Sequence, residues 1–125
     1  MIKQDFNQHL LAYTPLTDLV DDDIYPIVGG AGQAMPAVMY SFDSEHETDL
    51  QGDTVLERYQ VQLNAVAKDY AEANGIACQV IQALKLNNNL LNNNPVQLCR
   101  FDSENESFDT ELDAYIVTTT YTLIP

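Results

Sequence analysis

Arg58-Tyr59-Gln60-Val61-Gln62-Leu63-Asn64-Ala65 is the stretch that decides the fold. Tyr59, Val61, Leu63 and Ala65 alternate with Arg58, Gln60, Gln62 and Asn64, and a two-residue period sends successive side chains to opposite faces of a strand. Such a strand needs one buried and one wet face, as an antiparallel sheet covered on one side provides. The cover follows in the chain. From Asp69 the period becomes helical, with Tyr70, Ala73, Ala77, Val80, Ile81 and Leu84 three and four residues apart, and Asp69 with Glu72 reads as the Asp-x-x-Glu form of a capping box. A helix of roughly 16 residues spans about 24 Å, enough to cross four strands about 4.8 Å apart. One apolar helix stripe then covers one apolar sheet face.

Upstream, Ile2, Phe6, His9, Leu10 and Tyr13 share the spacing of a short amphipathic helix, and Thr14-Pro15 opens a further helical turn with Thr14 as N-cap. Asp21-Asp22-Asp23 ends that turn, because carboxylates oppose the dipole at a helix C-terminus. Ile24-Tyr25-Pro26-Ile27-Val28 reads as a strand, and Pro26, which has no N–H to donate, belongs on a sheet edge. Gly29-Gly30-Ala31-Gly32-Gln33 is a flexible loop. Val38, Tyr40 and Phe42 then share one face of a strand over 35–42. The acidic stretch 43–53, with Asp43, Glu45, Glu47, Asp49, Asp53 and the single His46, is expected to be a long exposed loop or hairpin arm.

Downstream, the asparagine-rich run 87–95 is expected to stop the helix and form a loop, since Asn tolerates turn and left-handed geometries. Residues 96–102 read as a strand and 103–110 as a polar turn. Residues 111–124 read as a closing strand, with Tyr115, Val117, Thr119, Tyr121 and Leu123 on one face. The expectation is therefore an α+β chain, one domain over 1–125, with a mainly antiparallel sheet, a long helix on one face and a short N-terminal helix.

The composition of the 125 residues suits one core, with 46% apolar and 9% aromatic side chains. Nineteen acidic residues against five basic ones give a formal charge of −14, which repels phosphate backbones and anionic headgroups. DNA reading and membrane coating are disfavoured. No run approaches the ~18 apolar residues of a membrane span, and Met1-Ile2-Lys3-Gln4-Asp5 does not read as a secretion signal, so a cytoplasmic setting is expected. Cys78 and Cys99 lack companions at metal spacing, and both are expected as reduced core or semi-buried thiols.

Chemistry-bearing patterns are sparse. The glycine-rich loop lacks the Lys-Ser or Lys-Thr pair of a phosphate cradle, and Asp21-Asp22-Asp23 lacks the ligand ladder of an EF-hand. His9 sits beside apolar residues and His46 among acids, and neither combines with a nucleophile and an orienting group at a recognisable spacing. No catalytic residue, metal ligand or cofactor is nominated. Arg58, on the polar face of the best strand, and Arg100 are expected to pair with acidic neighbours, an exposed ion pair of about 0–1 kcal/mol being the plainer reading.

Read in order, the short helix ending near residues 16–20, the phrase Asp23-Ile24-Tyr25-Pro26, then Met35-Pro36-Ala37-Val38-Met39-Tyr40 make up the first half of a pattern. Gly52 with Arg58-Tyr59-Gln60-Val61-Gln62-Leu63, the helix opening Asp69-Tyr70-Ala71-Glu72-Ala73 and the Tyr-Val-Thr terminal strand complete it. Over nearly its whole length this order resembles the tail completion, or tail terminator, proteins of long-tailed bacteriophages. The resemblance implies a non-enzymatic virion subunit that assembles, commonly as a hexameric ring, on the end of the tail tube. There it stops polymerisation and meets the head connector or head completion protein at the head–tail junction, after assembly in the host cytoplasm. Its implied partners are further copies of itself, the tube protein and the connector; DNA passes without specific binding, and no membrane is involved. Within this reading Arg58, Gln60 and Gln62 are the expected subunit or tube interface, and Glu45, Glu47 and Asp49 the expected acidic lumen or docking loop. Six copies of −14 carry roughly −84 formal charges, which suits a pore that must not retain DNA. The alternatives are a head completion or connector neck protein, and an acidic mimic of DNA that inhibits a host protein.

Overall fold

A computed structural model describes residues 2–20, 24–26, 36–48, 50–52, 54–85, 90–92, 94–111 and 113–125. The order is α1 (Ile2–Leu11), α2 (Thr14–Val20), β1 (Ile24–Pro26), β2 (Ala37–Thr48), β3 (Thr54–Ala67), α3 (Tyr70–Ala83), β4 (Leu90–Leu91), β5 (Asn94–Pro95), β6 (Leu98–Asp109) and β7 (Ala114–Ile124). Five strands make one sheet in the order β1-β2-β3-β7-β6, antiparallel except for the β1–β2 pair. The fold is α+β, as the two periodicities require. Pro26 lies on an edge strand, where its missing N–H is harmless. The expected turn at Asp21-Asp22-Asp23 and the glycine loop 29–33 lie outside the described residues.

The sheet's apolar face holds Val38, Tyr40, Tyr59, Val61, Leu63, Ala65, Val117, Tyr121 and Leu123, all buried. α3 covers it with Ala73, Ile76, Ala77, Val80 and Ala83: Ile76 and Val80 fill the space over the sheet, and the three alanines let the helix axis approach the strands. Asp69 is its N-cap as expected, but the carboxylate accepts the Ala71 N–H, at 3.2 Å, in place of the Glu72 N–H that a capping box uses. α1 adds Phe6 and Leu10, both fully buried. Phe6 meets Tyr40 and Phe42 edge-to-face at 5.5 and 5.2 Å, and Phe42 meets Tyr59 at 5.8 Å, so four rings tie α1 to β2 and β3. The Lys3 ammonium lies 5.8 Å from the centre of the Phe42 ring.

Of the two expectations for the acidic stretch after Phe42, loop or hairpin arm, the arm is the one formed: β2 continues to Thr48, and Thr48 pairs with Thr54 beyond a turn in which Gly52 adopts φ 86°, a left-handed conformation that glycine takes without steric penalty. Two other expectations are corrected. Residues 103–109, expected as a polar turn, are the second half of β6, which runs with one register shift along all of β7. The asparagine run contains a two-stranded ribbon, β4 with β5, turned by Asn92 at φ 50°. β7 matches expectation, with Val117, Thr119, Tyr121 and Leu123 buried in alternation.

His9 locks these parts together. Its Nδ1 accepts the Asn92 backbone N–H at 3.0 Å, so the ring proton sits on Nε2 and is donated to the Ala83 carbonyl at 2.7 Å. Ala83 O is one of the last carbonyls of α3, which have no partner within the helix. One imidazole thus joins α1, the end of α3 and the β4–β5 ribbon. The Asn92 side chain adds a donation to Gln8 Oε1 at 2.9 Å.

Candidate assembly surfaces

The sheet face turned away from the helices is polar by the same alternation that made the other face apolar. On β3, Gln60 and Gln62 are exposed and Arg58 and Asn64 half-buried, between the buried Tyr59, Val61 and Leu63. β3 is the central strand. Its neighbours place Asp43 and Thr122 beside Gln60, Ser41 and Thr120 beside Gln62, and Met39 and Thr118 beside Asn64. The Thr118 hydroxyl donates to Asn64 Oδ1 at 2.7 Å. Cross-strand polar pairs of this kind fix side-chain positions across a flat face.

Toward β6 the face ends in a charged cluster. Asp102 receives the Thr122 hydroxyl at 2.5 Å and the Arg100 Nε–H at 2.8 Å, and Arg100 Nη2 also reaches Thr122 Oγ1 at 3.3 Å. The Thr122 hydrogen bond, then the Arg100 bond and charge, hold the Asp102 carboxyl below its ordinary range against the opposing effect of desolvation. Thr122 is only 3% exposed whereas the Arg100 side chain is largely in solvent, so the cluster forms the rim of the polar face. Arg100 has the acidic partner that sequence suggested.

The sequence-derived site residues come closer together than expected. Strand register pairs Glu45 with Arg58, and Glu47 with Leu56. The acidic group and the Arg58-Gln60-Gln62 group therefore share one β2–β3 hairpin. Asp49 lies outside the described residues. β3 pairs with β7 only from Tyr59 to Ala67, so the hairpin beyond Arg58 projects past the five-stranded sheet. Leu50, in its turn, is fully exposed.

The surface that sequence reading missed is β6. It is an edge strand, hydrogen-bonded to β7 on one side, and its residues 100–108 are exposed. Phe101 (44% exposed) stacks edge-to-face on Tyr121 at 5.5 Å, and Phe108 (46%) on Tyr115 at 4.9 Å. Between them on that face stand Glu104 and Glu106, opposite Thr119 and Val117. Tyr70, at the start of α3, donates its hydroxyl to Glu106 Oε2 at 2.5 Å, which raises the phenol's ionisation range. The available signal was weak: neither Gly nor Pro, the strongest interrupters of a strand, occurs between residues 96 and 124.

Among the described residues no three His, Cys, Asp or Glu side chains gather as a metal cluster, and no helix is long and apolar enough to cross a membrane. Cys78 is exposed on α3, a correction to the expectation of burial, because it falls between the buried positions Ala77 and Val80 on the helix's outer side. Cys99 is half-buried, and desolvation pushes its thiol up to about 11.

The fold thus presents a polar sheet face, a projecting hairpin and an open sheet edge, the surfaces through which a subunit can meet its neighbours. The chain belongs to the family described as "Tail completion protein gp17", whose model matches residues 5–124. It is thus a bacteriophage tail-completion protein with a structural role. Among solved structures it is similar to a chain from "Virion of native gene transfer agent (GTA) particle", with a TM-score of 0.74 at 18% identity, covering 94% of this chain and 88% of that one; at that identity the likeness is one of fold. No curated protein matches it in sequence.

Proposed function

We propose that copies of this chain form a ring, six in number, that caps the finished tail tube, ends its polymerisation and presents the surface to which the head connector binds. The observation that carries this reading is the family match over residues 5–124, nearly the whole chain. The similarity of fold to a chain from the virion of a gene transfer agent particle supports a place in a particle of that kind. The surfaces fit the task. Arg58, Gln60 and Gln62 lie on a polar face suited to contact with a neighbouring subunit or the tube, with side chains that gain hydrogen bonds on docking without leaving an apolar patch exposed beforehand. We assign Glu45, Glu47 and Asp49 to the pore wall or a docking contact; Glu45 and Glu47 belong to the part of β2 whose partner strand extends beyond its pairing with β7. An acidic pore wall repels DNA phosphates and lets the genome pass. The work is done by shape and polar contact, without bond chemistry.

Tails purified from an infection that makes no heads test the placement. The protein should remain at one end of each tail, at about six copies of its 14.0 kDa chain per tail. Absence from headless tails, with recovery on heads instead, assigns it to the neck on the head side. A salt-sensitive complex of monomer with a basic host protein, and none on tails, assigns the acidity to mimicry of DNA.

A further inference from the structure

We propose that the open edge of β6 is a docking site for an extended segment of a different protein, one that adds as a strand and carries two basic side chains between two apolar ones. An edge strand presents a row of backbone N–H and C=O groups to any chain that can lie alongside it, and β6 offers 12 residues of it, from Leu98 to Asp109. The side chains specify the occupant. On the helix-side face the register places Phe101, Glu104, Glu106 and Phe108 in succession, the shift at Asp102 taking up one residue. Both phenylalanines are nearly half exposed, their inner edges held by Tyr121 and Tyr115. A strand laid beside them would set apolar side chains against the two rings and Lys or Arg against the two carboxylates, in the pattern apolar-x-basic-x-basic-x-apolar. Opposite charges directly across a strand pair stabilise it, and like charges destabilise it. The far face of β6, with Ser103, Asn105 and Ser107, asks only for polar residues.

A second copy of this chain does not fit. Its five cations are Lys3, Arg58, Lys68, Lys85 and Arg100, and no two of them stand two residues apart. β6 against another β6 would align acidic rows. The other sheet edge, β1, is three residues long and ends in Pro26. The edge is thus kept from self-pairing by charge while remaining open to a basic strand, independently of ring size.

The experiment titrates full-length protein with a seven-residue synthetic peptide, acetyl-Val-Thr-Lys-Thr-Lys-Thr-Val-amide, and with the same peptide carrying Glu for Lys. Binding is followed by calorimetry and by amide hydrogen exchange. The expected result is saturable one-to-one binding of the lysine peptide alone, with slowed exchange confined to β6. Affinity should fall about tenfold or more in the Glu104→Lys/Glu106→Lys variant and on raising salt from about 0.05 to about 0.5 M. Because Glu106 also holds Tyr70, the single variant Glu104→Lys, which breaks no hydrogen bond seen here, should show a smaller loss in the same direction. Equal binding of both peptides, no binding of either, or a wild-type self-association abolished by Glu104→Lys would each overturn the proposal.

Discussion

Replacing His9 by Phe keeps a ring between α1, α3 and the β4–β5 ribbon and removes only its two nitrogens. The Ala83 carbonyl then loses a donor at 2.7 Å, and the Asn92 N–H loses an acceptor at 3.0 Å. A hydrogen bond contributes about 0.5–1.5 kcal/mol net, and a polar group left unpaired away from water costs about 1–3 kcal/mol. His9 is half-buried, so water re-satisfies part of the loss and the lower ends of these ranges apply, giving about 2 kcal/mol in all. For a chain of this size that corresponds to a fall in Tm of about 6–10 °C. Urea unfolding followed by far-UV circular dichroism gives the free energy, and amide exchange locates it: the Asn92 amide and the last turn of α3 should exchange faster, while β3 and β7 are protected as before. A loss under about 0.5 kcal/mol, or a slowing spread evenly over the sheet, refutes the reasoning that this imidazole locks the three elements.

Phe6→Ala removes a fully buried ring in contact with Tyr40 and Phe42 and should cost about 3–5 kcal/mol by equilibrium unfolding, the largest effect of any change in α1. Asp102→Asn tests the charged corner through pH. A carboxyl held below its ordinary range in the folded chain contributes stability above about pH 4, and that contribution disappears as pH falls through the folded-state value, so the gap between wild type and variant should be widest near neutrality and close under acid. Labelling of native protein by a thiol reagent at pH 8 should modify Cys78 rapidly and Cys99 slowly, since Cys99 is half-buried and its thiol is pushed up to about 11. Equal rates at the two positions would contradict the placement of Cys99.

The elements legible in the sequence are those with one face in water and one in the core. β3 and β7 announce themselves through Tyr59, Val61 and Leu63 and through Val117, Thr119 and Tyr121, because half-burial imposes the two-residue period. α3 is legible for the same reason, and Asp69 marks its start. The second half of β6 has no such signature: residues 100–108 are exposed on both faces, and a strand that buries neither side is under no pressure to alternate. β4 and β5, of two residues each, are too short to show any period. The role of His9 depends on partners 74 and 83 residues away, contacts that only the folded chain creates. The polar residues Arg58, Gln60 and Gln62 were legible as a solvated strand face, whereas the site on β6 was hidden with the strand that carries it.

In the proposed role this chain ends the growth of a tail tube. Electron microscopy of tails assembled in cells whose phage lacks the gene measures it most directly, through the distribution of tube lengths. Tubes far longer than normal and of variable length are the predicted result. Tails of uniform, normal length that merely fail to join heads would contradict it.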